Sequence, residues 1–137
     1  MQKGLIVHTL ITNNKGEILI LQRSKQETIF PEYWDIPGGT LEDWEDPAVG
    51  AIRETKEETG LDISNPKLFF HRSKVDVGKN KQFITLIFSE ECQDDQIILN
   101  PEEHQQYAWI QPSEIGKYKT VEYLNDCVTC YQESMIK

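Results

Sequence analysis

A loop that leads into a helix, between Gly38 and Leu61, constrains the fold of this chain more than any other stretch. Asp46 is a good N-cap residue, and Pro47 suits the first helical position because its missing N–H is not needed there. Gly60 suits the left-handed conformation that ends many helices. The sequence therefore predicts a helix from about Pro47 to Thr59.

The residues of this predicted helix divide into two faces. At about 100° per residue, small and apolar side chains fall on one face: Ala48, Ile52, Thr55 and Thr59. Glu54, Glu57 and Glu58 fall within an arc of about 100° on roughly the opposite face. Arg53 lies beside that arc, one turn before Glu57. We expect the first face to be buried and the acidic face to be exposed.

Two interpretations of the acidic face are open from these residues alone. One is a solvated acidic surface, which is what most runs of charge are. The other is a site for Mg²⁺ or Mn²⁺, since these cations take oxygen ligands and would turn the repulsion between the glutamates into attraction. Mg²⁺ usually shares its coordination shell with water and substrate phosphates, so a small carboxylate cluster suits phosphate chemistry.

The wider spacing favours the metal site. Seven positions have a fixed spacing: Gly39-x5-Glu45-x7-Arg53-Glu54-x2-Glu57-Glu58-x-Gly60. This is the spacing of the Nudix box, and the stretch from Gly39 to Leu61 resembles the Nudix hydrolase family. A chance match at seven positions has a probability of roughly 10⁻⁸ per start site. Thr55 is a departure, because the family usually has an aliphatic residue there, and we expect this change to affect packing more than chemistry.

The resemblance implies an α/β fold, the Nudix α/β/α sandwich, with a mixed sheet and the box helix packed on it. It also implies hydrolysis of a diphosphate linkage, usually in a nucleoside diphosphate joined to another group. The residues agree, because phosphoryl transfer needs mainly charge neutralisation and an aligned water. The box contains no serine or cysteine to act as a covalent nucleophile. We therefore expect water to attack phosphorus. The resemblance further implies attack at an internal phosphorus, so that a nucleoside triphosphate would give the monophosphate and pyrophosphate.

The charged residues of the box are the first candidates for catalysis. Glu57 and Glu58 are expected to bind Mg²⁺ or Mn²⁺, and Glu54 is either a third ligand or the base that takes the proton of the water. Arg53 is expected to orient the glutamates, because a planar guanidinium can brace a carboxylate. Glu45 would join through a second metal ion or through contact with the ligands.

Further site residues follow from the resemblance. It implies that Gly38 offers its backbone carbonyl to the metal and that Arg23 lies close to the substrate phosphates. Gly39 lets the loop approach the substrate closely. The family often supplies one more acidic ligand from a later loop, and Glu102 and Glu103 are the candidates, with Glu103 preferred.

Other polar and aromatic residues are weaker candidates. His71 and His104 are the histidines nearest the predicted site, and each is better interpreted as a structural or solvent-exposed residue than as a catalytic one. Four aromatic side chains are candidates for stacking a base, although core or rim positions explain them better: Phe30, Tyr33, Phe83 and Trp109. A nucleoside triphosphate or a small nucleoside diphosphate derivative is the expected substrate.

Elsewhere the pattern predicts strands on both sides of the box helix and a second helix near the end. We expect strands at 4–11, 17–22, 63–72, 82–89 and 106–110, and a helix at about 121–133. The turn signal Asn13-Asn14-Lys15-Gly16 predicts that the first two strands form a hairpin. The strand at 82–89 is the most hydrophobic and is expected to be central.

Composition limits the partners. A chain of 137 residues predicts one domain over residues 1–137. The net charge of −9 argues against binding a nucleic-acid polymer, which needs clustered basic residues, but not against a small phosphorylated substrate. No apolar run approaches the ~20 residues of a membrane span, and no signal peptide is evident. We expect a cytoplasmic monomer or homodimer, with three free cysteine thiols.

Two other classes of function remain open. The first is a catalytically silent regulatory module that binds a nucleotide without turning it over, which the complete set of box glutamates disfavours. The second is an acidic structural domain with no ligand, which would show no metal-dependent change in melting temperature.

Overall fold

The structure is a computed structural model, and it describes residues 1–135. The described elements follow one another in this order: β1 (Gln2–Thr12), β2 (Ile18–Arg23), β3 (Trp34–Asp35), β4 (Gly38–Thr40), α1 (Pro47–Thr59), β5 (Lys67–Asp76), β6 (Lys81–Glu91), β7 (His104–Ile110), a 3₁₀ helix (Pro112–Lys117) and α2 (Leu124–Ser134). All the predicted strands and both predicted helices are therefore present, with shifts of a few residues at their ends.

A mixed seven-stranded sheet forms the centre of the fold. β1 and β6 run parallel over their whole length, with Gln2 opposite Lys81 and Thr12 opposite Glu91. β6 lies between β1 and β5, so the prediction of a central strand is confirmed. β4 pairs with the other edge of β1, and β2 pairs with β3 and β7. The sheet is thus in two parts that meet where β1 turns into β2.

The predicted hairpin between the first two strands is wrong for most of its length. The turn is present, since the side chain of Asn13 accepts from the backbone N–H groups of Lys15 and Glu17 at 3.0 Å each. In the described residues, however, β1 and β2 are paired at Thr12 and Ile18 alone. β1 is buried from Val7 onward, and it pairs with β6 along one edge and with β4 along the other. A short turn signal could not reveal these distant partners.

Helices cover both faces of the sheet. Alternate residues of β2 point to opposite layers, with Leu19 and Leu21 on the α1 side and Ile18 and Ile20 on the α2 side. These four side chains are fully buried, and burying each contributes about 1.5–3 kcal/mol. The layers have the predicted α/β/α order.

The box helix has the predicted ends. The carboxylate of Asp46 accepts from the N–H of Ala48 at 3.0 Å, and Gly60 has a φ of 78° while its N–H donates to the carbonyl of Lys56. Thr55 is fully buried, so the departure from the family pattern lies in the core, as expected.

α2 begins three residues later than predicted, at Leu124. Val121 instead donates its N–H to the carbonyl of Trp34 at 3.0 Å, which ties this segment to β3 before the helix starts. Cys92, Cys127 and Cys130 are free thiols, as expected. Residues 1–135 contain no helix that is long and apolar enough to cross a bilayer.

Candidate active site

The acidic face of α1 is less exposed than predicted. Only Glu57 is open to solvent, with 56% of its side chain exposed, whereas the side chain of Glu54 is 13% exposed and Glu58 as a whole is 6% exposed. The reason is β4, a strand of three residues that pairs with β1 and lies against this side of the helix. The prediction of an exposed acidic face is therefore wrong for Glu54 and Glu58.

Glu58 is a buried carboxyl group inside this interface. The N–H of Gly38 donates to its Oε1 at 3.0 Å. Burial raises the pKa of Glu58 to about 9, and the nearby charges of Glu103, Glu54 and Asp35 act in the same direction, while the bond from Gly38 opposes them. In the absence of a cation, this group holds its proton at neutral pH.

Arg53 braces the other carboxylates of the box. Its Nε and Nη2 donate to the two carboxylate oxygens of Glu45 at 2.7 and 2.9 Å, and its Nη1 donates to Glu54 at 2.9 Å. Glu57 is a weaker partner at 3.3 Å. The hydrogen bond from Arg53 holds the pKa of Glu45 below its usual range, and the bond to Glu45 raises the pKa of Arg53. This geometry fits an orienting role of Arg53, and it connects Glu45 to Glu54 through Arg53 rather than by direct contact.

The two glycines of β4 bring the backbone close to these carboxylates. A Cβ atom on Gly39 would lie 2.7 Å from the carboxylate of Glu54. On Gly38 it would lie 2.3 Å from the Nδ1 atom of His8. A side chain on Gly39 would therefore push the strand away from the helix, whereas a side chain on Gly38 would clash with β1 at Val7 and His8.

Glu103 and His104 join Glu58 from β7 and the turn before it. Donor atoms of these three residues all lie within 4.8 Å of one another. Glu102 is outside this group, so the structure brings the preferred late-loop candidate to the box. His104 is 5% exposed, and its Nδ1 is buried with no hydrogen-bond partner in the described chain. His104 is therefore not exposed, and one of its ring nitrogens is left without a partner in the described residues.

A cavity of about 580 Å³ opens beside this group. Its wall includes Arg23, whose Nε donates to the carbonyl of Ile29 at 2.9 Å and whose Nη2 lies 3.5 Å from the carboxylate of Glu27. Other basic side chains line the cavity from the opposite sheet edge: Arg72, Lys74 and Lys79. Arg72 pairs with Asp126 and Lys74 with Glu122, so acidic neighbours offset part of this positive charge.

Of the aromatic candidates, Phe30 and Phe83 line the cavity. Tyr33 contacts Phe30, with 5.1 Å between the ring centroids. Trp109 packs instead against the core on the α1 side of the sheet, so it is not placed to stack a base. His71 is exposed on β5.

Sequence reasoning missed three residues of the cavity floor: His8, Asp35 and Tyr123. The Nδ1 of His8 lies 2.9 Å from the carbonyl oxygen of Ile36, and the hydroxyl of Tyr123 donates to the carboxylate of Asp35. The available signal was a histidine inside an otherwise apolar strand, together with an aspartate in the flank that precedes the box. Neither is periodic, so neither stands out in a pattern search.

The donor atoms around Glu58 fit a divalent cation. Carboxylate oxygens suit Mg²⁺ and Mn²⁺, and an imidazole nitrogen suits transition metals. Glu58 has several acidic neighbours, and no ion pair to it occurs between residues 1 and 135. A cation bound here would supply the missing positive charge and a partner for the buried nitrogen of His104.

Known proteins with related sequences or folds point the same way. The family model of the NUDIX domain matches residues 2–129. The nucleoside triphosphatase NudI of Salmonella agona is 31% identical over 127 residues, which cover 86% of this chain and 89% of that protein. An uncharacterized Nudix hydrolase of Listeria innocua is 41% identical over 69 residues, covering 48% of this chain and 41% of that protein.

The crystal structure of a MutT protein from Methanosarcina mazei is similar over 99% of this chain and 97% of its own, with a TM-score of 0.86 and 27% identity. This likeness confirms the predicted α/β/α fold, and the family match covers all the box residues. Enzymes of this family generally use a divalent metal, which the donor group around Glu58 fits. The chain therefore belongs to the NUDIX family and is a Nudix hydrolase, as its box predicts.

Proposed function

We propose that this Nudix hydrolase uses Mg²⁺ or Mn²⁺ to hydrolyse a diphosphate linkage in a nucleoside triphosphate or a nucleoside diphosphate derivative. The observation that carries the proposal is the buried carboxyl group of Glu58. It lies within reach of Glu103 and beside a cavity, without a protein cation among residues 1–135 to balance it. Without a cation this carboxyl group stays neutral by keeping its proton, and a cation that binds here would displace that proton and pair with the carboxylate.

We assign Glu58 and Glu103 to the metal, together with Gly38, which already contacts Glu58 through its N–H. Glu54 is either a third ligand or the base that takes the proton of the water. We keep Glu57 as a further ligand, since its exposed side chain is free to turn toward a bound cation. When bound, the metal would neutralise charge on the diphosphate and lower the pKa of a water molecule. Arg53 would act by positioning, because it holds Glu54 at 2.9 Å.

The protein would align the attacking water and accept its proton. Glu54 is the candidate base, because burial raises its pKa toward neutrality, where a general base is most effective. The hydrogen bond from Arg53 opposes that shift. Water would then attack phosphorus, and a nucleoside triphosphate would give a nucleoside monophosphate and pyrophosphate.

Arg23 and the two cavity phenylalanines are proposed to bind the substrate. Arg23 is placed to donate to phosphate oxygens, while Phe30 and Phe83 offer ring faces for a base. Gly39 would let phosphate groups approach the backbone. The name of the Salmonella relative, a nucleoside triphosphatase, supports a triphosphate as the first substrate to test.

We also propose that residues 1–137 act as one domain, as a monomer or homodimer, on small nucleotides rather than nucleic-acid polymers. The family match over residues 2–129 and the net charge of −9 support this. A cytoplasmic location is part of the proposal, and the three free thiols support it.

The test is a screen of nucleoside triphosphates and diphosphate derivatives with Mg²⁺ or Mn²⁺, followed by mass analysis of products formed in ¹⁸O-water. We expect label in a phosphate product and no turnover after chelation. Glu103→Gln should lower the rate, while its neighbour Glu102→Gln, which lies outside the donor group, is the matched control. Label on the sugar alone would refute attack at phosphorus, and tight nucleotide binding without turnover would favour a silent regulatory module.

A further inference from the structure

We propose that His104 supplies a nitrogen ligand to the metal site, so that the site favours transition-metal cations such as Mn²⁺ and Co²⁺ over Mg²⁺ more strongly than carboxylates alone would. This inference rests on the proposed function, because it concerns the same cation. It goes beyond the box residues, since no feature of the box implies a histidine.

The first support is geometric. Donor atoms of Glu58, Glu103 and His104 lie within 4.8 Å of one another, which allows a single ion to contact all three. The group combines one residue of α1 with two from β7 and its preceding turn. The ligand set would therefore link the box helix to the start of β7.

The second support is the unpartnered nitrogen. His104 is 5% exposed, and its Nδ1 finds no hydrogen-bond partner in the part of the chain that the structure describes. A buried polar atom without a partner costs about 1–3 kcal/mol. A ring held in such a place next to two carboxyl groups gains a partner when a cation binds. The gain requires that the cation binds Nδ1 itself, because coordination through Nε2 would leave Nδ1 as a buried donor without a partner.

The third support is the backbone that holds both residues. Successive residues of a regular strand point to opposite faces, so Glu103 and His104 would normally diverge. Here Glu103 lies in the turn, where its carbonyl accepts from the N–H of Ser24 at 2.8 Å, and His104 opens β7. The pairing of β2 with β7 is irregular at Gln22 and Arg23, directly opposite. A local irregularity of this kind re-aims side chains and is common beside active sites.

The chemistry gives the direction of the effect. Mg²⁺ prefers oxygen ligands and keeps its waters, whereas imidazole binds divalent transition metals with an affinity that rises from Mn²⁺ to Co²⁺. Replacing the imidazole by an amide should therefore weaken Mn²⁺ and Co²⁺ binding more than Mg²⁺ binding. Residues that only contact the ligands of a metal typically contribute 10–100-fold to its affinity, and a direct ligand should contribute at least as much. We therefore expect His104→Gln to weaken Mn²⁺ binding by about tenfold or more. Mg²⁺ binding should weaken by less than about threefold, because Mg²⁺ prefers oxygen ligands.

The test is pulsed electron paramagnetic resonance of the Mn²⁺-loaded protein without nucleotide, with natural and ¹⁵N-labelled histidine. We expect a ¹⁴N modulation that changes with the label, disappears in His104→Gln and persists in His71→Gln, the exposed control on β5. Metal titrations of the same variants measure the Mn²⁺ and Mg²⁺ affinities. Absence of nitrogen modulation in the unaltered protein, its survival in His104→Gln, or equal losses of Mn²⁺ and Mg²⁺ affinity would overturn the proposal.

Two further measurements keep the outcome interpretable. If His104→Gln does not fold, His8→Gln replaces it, because His8 is the other histidine that lines the cavity. Modulation that persists in His8→Gln then supports His104, and its loss refutes the proposal. Turnover is measured separately with Mg²⁺. Nucleotide hydrolysis without nitrogen coordination would refute the histidine ligand and support the proposed function. Nitrogen coordination without hydrolysis would support the histidine ligand and refute the proposed function.

Discussion

Two groups of acidic side chains lie on or next to the box helix, and the charge around them differs. The carboxylates near Arg53 have a positive neighbour, whereas the carboxyl group of Glu58 has acidic neighbours. Glu45 receives two hydrogen bonds from Arg53, and these hold its pKa low. Glu58 receives one neutral backbone N–H, and burial among other acidic groups raises its pKa to about 9. We call the carboxylates that pair with Arg53, those of Glu45 and Glu54, the compensated cluster. Glu58 is the uncompensated group, and it lies one helical turn after Glu54.

This difference separates structure from chemistry within the box. The compensated cluster needs nothing further, so it can fix the loop against the helix and orient Glu54. The uncompensated group is stable in the folded chain only when it keeps its proton or gains a cation. Within the box, Arg53 therefore stabilises the loop and Glu54, while Glu58 beside them can accept a bound cation.

Removing the charge of Glu58 should produce the largest effect on activity. Because even indirect partners of a metal site contribute 10–100-fold, we expect Glu58→Gln to lower kcat/KM by at least about 100-fold. The amide keeps an acceptor for the N–H of Gly38, so the metal-free melting temperature should stay the same or rise. Steady-state kinetics and thermal melts in a chelator check both parts. Turnover near that of the unaltered enzyme would move the metal site elsewhere.

Removing the brace should instead affect stability. Arg53→Gln leaves the largely buried side chain of Glu45 without its ionic partner, and we expect the free energy of unfolding to fall by about 2–3 kcal/mol. Activity should fall as well, because Glu54 loses its orienting bond. Arg72→Gln is the matched control, since it breaks an exposed pair with Asp126 and should cost less than about 1 kcal/mol. Equal losses in urea unfolding would show that Arg53 is an ordinary surface residue.

The pH dependence of stability sharpens the comparison without a mutation. From about pH 7 to 8.5, the folded metal-free chain keeps a proton on Glu58 that the unfolded chain has lost, so the free energy of unfolding should fall with pH by up to about 1.4 kcal/mol per unit. Below about pH 6.5 the trend should flatten. There the unfolded chain protonates His104, whose pKa burial lowers to about 4 in the fold, and this acts in the opposite direction.

Urea unfolding at several pH values, with a chelator or with saturating Mg²⁺, measures this slope. We expect the slope near pH 7 to become much smaller in Glu58→Gln and when Mg²⁺ is bound. Toward pH 8.5 some slope of the same sign remains, because burial also raises the pKa of the Cys127 thiol, to about 12. A stability that rises between pH 7 and 8.5 without metal would contradict the assignment of a retained proton to Glu58.

Glu57 should show the smallest effect on stability. Its side chain is 56% exposed, and its contacts with Arg53 are 3.3 and 3.4 Å long, so Glu57→Gln should change the free energy of unfolding by less than about 0.5 kcal/mol. If Glu57 is a metal ligand, the same variant should still lower kcat. Unchanged stability together with unchanged kinetics would confine the metal ligands to the buried carboxylates.

The features that local sequence predicts well are those with local causes. The ends of α1 follow from Asp46 and Gly60, which act on the neighbouring turn of backbone. The spacing of the box likewise identifies its glutamates because they are close together in the sequence. The burial of Glu58 was not predictable from helical projection, because it depends on β4, a strand of Gly38–Thr40 without any strand-like pattern.

The cavity residues escaped prediction for a related reason. His8 and His104 come together with the box only after β1 and β7 take their places in the sheet, and a single histidine carries no periodic signal. The parallel pairing of β1 with β6 joins segments far apart in sequence, whereas turn signals report on neighbours. The sequence therefore predicts which residues carry chemistry better than it predicts what surrounds them.

The position of β1 has a consequence for how the chain folds while it is being made. β1 is synthesised before its partners; β2, which follows first, pairs with it only at Thr12 and Ile18, and β4 pairs with it at three positions. Its main partner is β6, which reaches from Lys81 to Glu91. The apolar residues of β1 after Ile6 therefore stay without this partner until most of the chain has been synthesised. Long-range pairing of this kind is slow and leaves apolar surface open to aggregation. We expect nascent chains stalled before Lys81 to be digested readily by protease, and chains extended well past Glu91 to become resistant.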